Sequence, residues 1–163
     1  MAKPKVSVVV RTAGPDDIQD IASMVERYWA IEGIVGYSRQ RIERLLARLL
    51  SETDLGGCWV ATADASLCGY LLATLVFSLE HGGLMAEIDE LFVVTDCRSA
   101  GVGRKLLRAA ESELAARGCV RMQLQIGITN DRARAFYERF GYRRRSGYEL
   151  LDKDLHESPL IGQ

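Results

Sequence analysis

The stretch Leu91-Phe92-Val93-Val94-Thr95-Asp96-Cys97-Arg98-Ser99-Ala100-Gly101-Val102-Gly103 decides how the rest of the chain is read. It starts as an apolar run of strand character. It ends in a turn with two glycines and a flanking arginine, and a helical run from Arg104 to Arg117 follows directly. The first turn of a helix has backbone N–H groups without intrahelical partners, and the helix dipole adds partial positive charge there. Glycine lets the backbone approach a phosphate with no Cβ in the way. Arg98 adds a fixed charge with forked donors. The turn is therefore read as a grip for an anion, in the first instance the pyrophosphate of a cofactor.

Outward from that turn, the chain is that of one domain. Its 163 residues are 48% hydrophobic and carry a net charge of −1. That length suits a single domain over 1–163, with a core at about 6–155 and a tail at 156–163. The near-neutral charge gives no global field toward nucleic acid or a membrane surface. No apolar run is long enough to cross a bilayer, and Met1 to Lys5 lack the apolar stretch of a signal peptide. The four cysteines are Cys58, Cys68, Cys97 and Cys119, with no Cys-x-x-Cys pair, and the histidines are His81 and His156. No metal site is expected from such scattered ligands. Reduced thiols in a cytoplasmic protein are the expectation.

Upstream, Val6 to Arg11 reads as a strand. Ile18, Ile21, Ala22, Val25 and Trp29 recur at helical spacing and stop near Gly33. Ser38 can cap a second helix whose apolar face is Ile42, Leu45, Leu46, Leu49 and Leu50. Cys58–Ala63, Cys68–Leu79 and Leu84–Val94 read as three antiparallel strands around short turns. Downstream, Gly118 ends the helix after the glycine turn, and Val120 to Ile126 reads as a strand. Asn130 or Asp131 caps a helix from Ala133 to Phe140. Tyr142–Arg145 and Ser146–Leu155 suggest a closing hairpin. The order predicts an α/β (mixed α+β) fold: a central twisted mixed sheet of about six to seven strands flanked by about four helices.

Three carboxylates crowd the strand before the turn: Glu87, Asp89 and Glu90. Strand alternation puts Asp89 with Glu87, Leu91 and Val93 on one face, and Glu90 with Phe92 and Val94 on the other. Such a patch can be a solvated strand end. It can also attract a cationic substrate and take its proton. Tyr137 sits in an amphipathic helix, where a tyrosine commonly packs in the core.

Arg98-Ser99-Ala100-Gly101-Val102-Gly103 resembles the acetyl-CoA signature of the GNAT superfamily of N-acetyltransferases, Arg/Gln-x-x-Gly-x-Gly/Ala. Asn130 with Ala135-Phe136-Tyr137-Glu138-Arg139-Phe140-Gly141-Tyr142 is similar to its second signature. The match covers nearly the whole chain, and Ser99 departs from the more usual glycine. The resemblance implies an acetyl-CoA-dependent N-acetyltransferase acting on a small-molecule primary amine, a small cationic amine first. It implies that Leu91, Phe92, Val93 and Val94 line the pantetheine arm, with the Val93 or Val94 N–H as donor to the reacting oxygen. Arg98, Ser99, Ala100, Gly101, Val102, Gly103 and Arg104 would hold the pyrophosphate, with Asn130, Ala133 and Tyr137 also on the cofactor. Tyr137 would be the acid. Asp89 is the first choice for the base and Glu90 the second. Tyr28, Trp29, Glu32, Tyr37 and Glu87 would face the acceptor. A homodimer fits the superfamily's habits. A protein N-terminus or lysine is an alternative acceptor, and a non-catalytic acyl-CoA-binding module is the alternative of another class. A nucleoside-triphosphate loop is disfavoured because Gly103 is followed by Arg104-Lys105-Leu106.

Overall fold

The computed structural model describes residues 7–98 and 100–155. The expectations on Val6, Ser99, His156 and the tail 156–163 lie outside the described residues. The chain forms β1 (Val8–Thr12), α1 (Ile18–Glu32), α2 (Arg39–Ser51), β2 (Gly56–Ala63), β3 (Ser66–Ser78), β4 (Gly83–Val93), α3 (Val102–Ala116), β5 (Arg121–Leu124) and α4 (Asp131–Glu138).

The strands form one sheet in the order β1-β2-β3-β4-β5. Neighbours are antiparallel except β4 and β5, which are parallel. The mixed α/β architecture with four helices follows the expectation, with five strands among the described residues instead of six to seven. The shortfall is the closing hairpin: residues 142–155 form no strand. Leu150 and Leu151 are adjacent, so an extended chain would send one to each side and leave neither face clean. Gly147 has φ +83°, which breaks the extended run, and Tyr148, Leu150 and Leu151 are exposed.

The helices form where the local chemistry directs. Asp17 accepts from the Gly14 N–H at 2.8 Å and from two Arg11 nitrogens at 2.7 Å each, which sets the entry to α1. Gly33 ends α1 at φ +73°, a left-handed position that suits glycine. The Ser38 hydroxyl caps α2 by accepting from the Arg41 N–H at 3.2 Å.

Each sheet face has its own core. On one, Trp59, Leu71, Ala86 and Ile88 pack with Leu106, Leu107, Ala110 and Leu114 of α3. On the other, Val60, Tyr70, Leu72 and Phe92 pack with Ile21, Val25, Ile42 and Leu46 of α1 and α2. The register of β3 on β4 slips where Leu72 pairs with Glu90 and Ala73 with Ile88, leaving Asp89 as an extra residue. That is a β-bulge, and it resets the alternation. Ile88 and Leu91 both pack toward the α3 side, one position out of phase. The expectation that Glu87 shares a face with Leu91 and Val93 is therefore corrected, while Glu90 lies with Phe92 as expected.

Candidate active site

Beyond Ile88, β4 has no partner on its β5 side, since the parallel pairing runs from Met85 with Arg121 to Ile88 with Leu124. The strands part there, and a cleft of about 1150 Å³ opens between Leu91 and Val93 on one wall and Leu124, Gln125 and Ile126 on the other. In a strand, successive N–H groups point to opposite edges. The Val94 N–H donates to the Cys68 carbonyl at 2.9 Å, toward β3. By that alternation the Leu91 and Val93 N–H groups point into the cleft, and the Val93 carbonyl accepts from Arg98 Nε at 3.0 Å. Val94, expected as an alternative donor, is occupied by β3.

At one end of the cleft the glycine turn feeds α3. Gly101 takes φ +77° as the residue before the helix, and among the described residues no side chain caps that end. Among the described residues Lys105 is the first α3 amide bonded back, to the Gly101 carbonyl at 3.0 Å. The amides of Val102, Gly103 and Arg104 precede it and have no helical partner. A Cβ on Gly103 would meet Phe136 at 3.5 Å, so α3 and α4 close on each other here. Asn130 accepts from the Ala133 N–H at 3.0 Å and starts α4, and both residues line the cleft. Arg98, Arg104, Arg108, Arg132 and Arg139 stand on the same walls. The last three escaped the sequence reading. Their signal was periodicity: Arg108 is one helical turn beyond Arg104, and Arg132 and Arg139 are two turns apart. Unpaired amides, a helix N-terminus and five guanidinium groups suit a multiply charged phosphate ligand.

The other end is acidic and aromatic. Tyr28, Ile31, Glu32, Asp89 and Tyr137 line it. Asp89 is solvent-exposed at the cleft, yet the surrounding walls desolvate its carboxyl and raise it above the usual carboxylate range, and the charge of Glu87 adds to the rise. Burial pushes Tyr28 up to about 12, with smaller contributions from Glu32, Glu90 and Asp89. Tyr137 is also pushed up to about 12, again mainly by burial and then by Tyr28. These groups are thus close enough to feel one another. Tyr137 stays protonated at neutral pH, which keeps its O–H a donor.

Four residues expected on the acceptor or as base stand behind the walls. Glu90 is buried and accepts from Trp29 Nε1 at 2.5 Å and from the Tyr70 hydroxyl at 2.7 Å. Tyr37 lies against Trp29 at 4.8 Å between ring centroids. Glu87 accepts from Gln123 at 2.7 Å and Gln125 at 3.2 Å. Phe92 reaches the cleft from the second core. Among the described residues no cluster of three or more His, Cys, Asp or Glu could hold a metal. None of their helices is long and apolar enough to cross a membrane.

One cleft thus combines free helix amides and guanidinium groups with a carboxylate and two phenols. The model of the acetyltransferase (GNAT) family matches residues 19–142, and the chain belongs to that family. It is an acetyl-CoA-dependent N-acetyltransferase. An uncharacterised N-acetyltransferase of Archaeoglobus fulgidus is 34% identical over 137 residues, 83% of this chain and 92% of that protein. An aminoalkylphosphonate N-acetyltransferase of Salmonella typhimurium is 31% identical over 85 residues, 52% of this chain and 55% of that protein. Among solved structures, integron cassette protein HFX_CASS3 from the Cole Harbour Salt Marsh metagenome has TM-score 0.80 and 26% identity, covering 92% of each chain. The aminoglycoside N-acetyltransferase AAC(6')-Iy, solved with CoA, has TM-score 0.79 and 15% identity, covering 94% of this chain and 99% of its own.

Proposed function

We propose that the chain acetylates the primary amine of a small cationic molecule, by direct attack of that amine on the thioester of acetyl-CoA. The observation that carries this reading is the polarity of the cleft. Arg98, Arg104 and the α3 amides stand by the glycine turn; Asp89 stands at the β4 bulge, with Tyr28 and Glu32 near it. A polyanionic donor and a cationic acceptor would each be drawn to its own end.

Bound acetyl-CoA supplies the activated acyl group. The α3 amides and the arginines hold its phosphates. The cleft-facing N–H groups of Leu91 and Val93 pair with the pantetheine arm. The Leu91 N–H is the nearer of the two to Asp89 in the strand, so it is assigned to the oxygen that gains charge during attack. Asp89 takes a proton from the acceptor ammonium, directly or through water, leaving a neutral amine with a free lone pair. Its raised pKa brings it nearer to the working pH of a base. Tyr137 donates its hydroxyl hydrogen to the departing thiolate as the C–S bond breaks, and the proton that the new amide nitrogen sheds restores the phenol. Glu90, its oxygens engaged by Trp29 and Tyr70, is a brace and not the base.

The test is release of the CoA thiol on a panel of amines, with acetyl-CoA binding measured in parallel. Turnover is expected on small polycationic amines and is expected to fall for neutral or anionic ones. The panel includes an aminoalkylphosphonate, because one relative bears that name. Preference for the phosphonate would overturn the cationic assignment. Tight acetyl-CoA binding without thiol release on any amine would favour the non-catalytic module.

A further inference from the structure

Glu90 lies outside the cleft and yet next to everything at its acceptor end. Its residue exposure is 9%. Burying a carboxylate is costly unless donors meet its oxygens. Both oxygens are met: Trp29 Nε1–H donates to Oε1 at 2.5 Å and the Tyr70 O–H donates to Oε2 at 2.7 Å. One donor comes from α1 and the other from β3, so the carboxylate ties a helix to the sheet.

The ties close on themselves. The Tyr70 ring lies 6.1 Å from that of Phe92, and Phe92 lies 5.7 Å from Tyr28. Tyr28 precedes Trp29 in α1. The contacts therefore run from Glu90 to Trp29, along the chain to Tyr28, across Phe92 to Tyr70, and back to Glu90. Tyr28 is the cleft-lining member of α1 in this ring, and Glu32 sits one helical turn further on. The hold continues outward: Trp29 lies on Tyr37, and the Arg41 guanidinium stands 5.0 Å over the Tyr37 ring. A single buried carboxylate fixes the cleft-facing turn of α1 from two sides.

We infer that Glu90 is a positioning residue that sets acceptor recognition, acting through Trp29 and Tyr70 on the Tyr28–Glu32 wall. This rests on reading the Tyr28–Asp89 end as the acceptor end. Trp29→Phe removes the Nε1 donor and keeps an aromatic ring. Tyr70→Phe removes the hydroxyl and keeps the ring. Glu90→Gln keeps the shape but turns an NH2 group toward one of the two donors. The readouts are acceptor KM and kcat, acetyl-CoA Kd by calorimetry, and amide exchange over 28–37.

Each donor variant is expected to raise acceptor KM about tenfold, the scale of a lost hydrogen bond to a charged group. The kcat and the acetyl-CoA Kd should stay near the parent values, and exchange over 28–37 should quicken. Glu90→Gln should show the largest rise in KM. Parental exchange and parental KM in both donor variants would overturn the inference. So would a Glu90→Gln enzyme that loses kcat and the acid limb of its pH profile at unchanged KM, because that is the behaviour of a base. Exchange needs no acceptor. If the acceptor end were misread, exchange would still quicken while acceptor KM stayed flat; if the brace were misread, exchange itself would not move. Should Glu90→Gln fail to fold, the two donor variants decide.

Discussion

Asp89 and Glu90 are adjacent and carry the same functional group, yet their surroundings differ: Asp89 is the extra residue of the bulge and lines the cleft, whereas Glu90 is paired with Leu72 and buried. The carboxyl of Asp89 meets the cleft, and that of Glu90 is spent on an indole and a phenol. Asp89→Asn is expected to lower kcat/KM for the acceptor by roughly 10²-fold or more, the usual range for a proton-transfer group. The sign of its pH dependence follows from the raised pKa. The carboxylate form works as base and is lost as pH falls through that pKa, so the acid limb should lie above the ordinary value of about 4. A pH profile of kcat/KM checks this, and Asp89→Asn should flatten the limb. Tyr137→Phe should reduce kcat with little change in acetyl-CoA Kd; equal turnover by the two proteins on several amines would remove the phenol from the reaction. At this scale the sequence showed which residue types mattered and where they cluster. It did not show that Glu87 leaves the face of Leu91 and Val93, because a bulge is a property of the pairing with β3 and leaves no mark in the local alternation.

At the scale of elements, α3 is the most legible. Its glycine turn, its apolar face of Leu106, Leu107, Ala110 and Leu114, and its stop at Gly118 can all be read from spacing. Gly101→Glu should abolish acetyl-CoA binding while circular dichroism still reports a folded chain. It puts a carboxylate at the anion grip and a side chain at φ +77°. A folded variant with parental affinity would remove the turn from the donor site. The caps at Ser38 and Asn130 were equally readable, and Asn130→Ala should cost about 1 kcal/mol in a denaturation experiment. The hairpin after Tyr142 was misread because β propensity over a few residues says little without a neighbour to pair with. The long gap between Glu90 and its donors, 61 residues to Trp29 and 20 to Tyr70, hid the brace for the same reason: it exists only once the sheet is assembled.

For the whole molecule, a net charge of −1 conceals a strong internal separation. Five arginines line one cleft, so acetyl-CoA affinity should fall as salt rises, while an uncharged pantetheine fragment should be much less sensitive. The Arg11–Asp17 pair ties β1 to the entrance of α1. The Arg11 guanidinium, through its hydrogen bonds, holds Asp17 below the usual carboxylate range. A lowered native pKa gives stability that is present above the unfolded value of about 4 and is lost as pH falls through the native one. The stability gap between the parent and Asp17→Asn, measured in urea, should therefore be full at neutral pH and close in acid.

The parallel seam has a mechanical meaning. β5 is sewn to the sheet by four residue pairs, Met85 to Ile88 against Arg121 to Leu124, and then the seam opens. A donor lying in that opening touches both lips, so it works as a stitch as well as a reactant. Unzipping of β5 should then be the motion most suppressed by CoA, and the amides of 121–124 should slow in proportion to ligand concentration. Product release and the loosening of β5 would be one event.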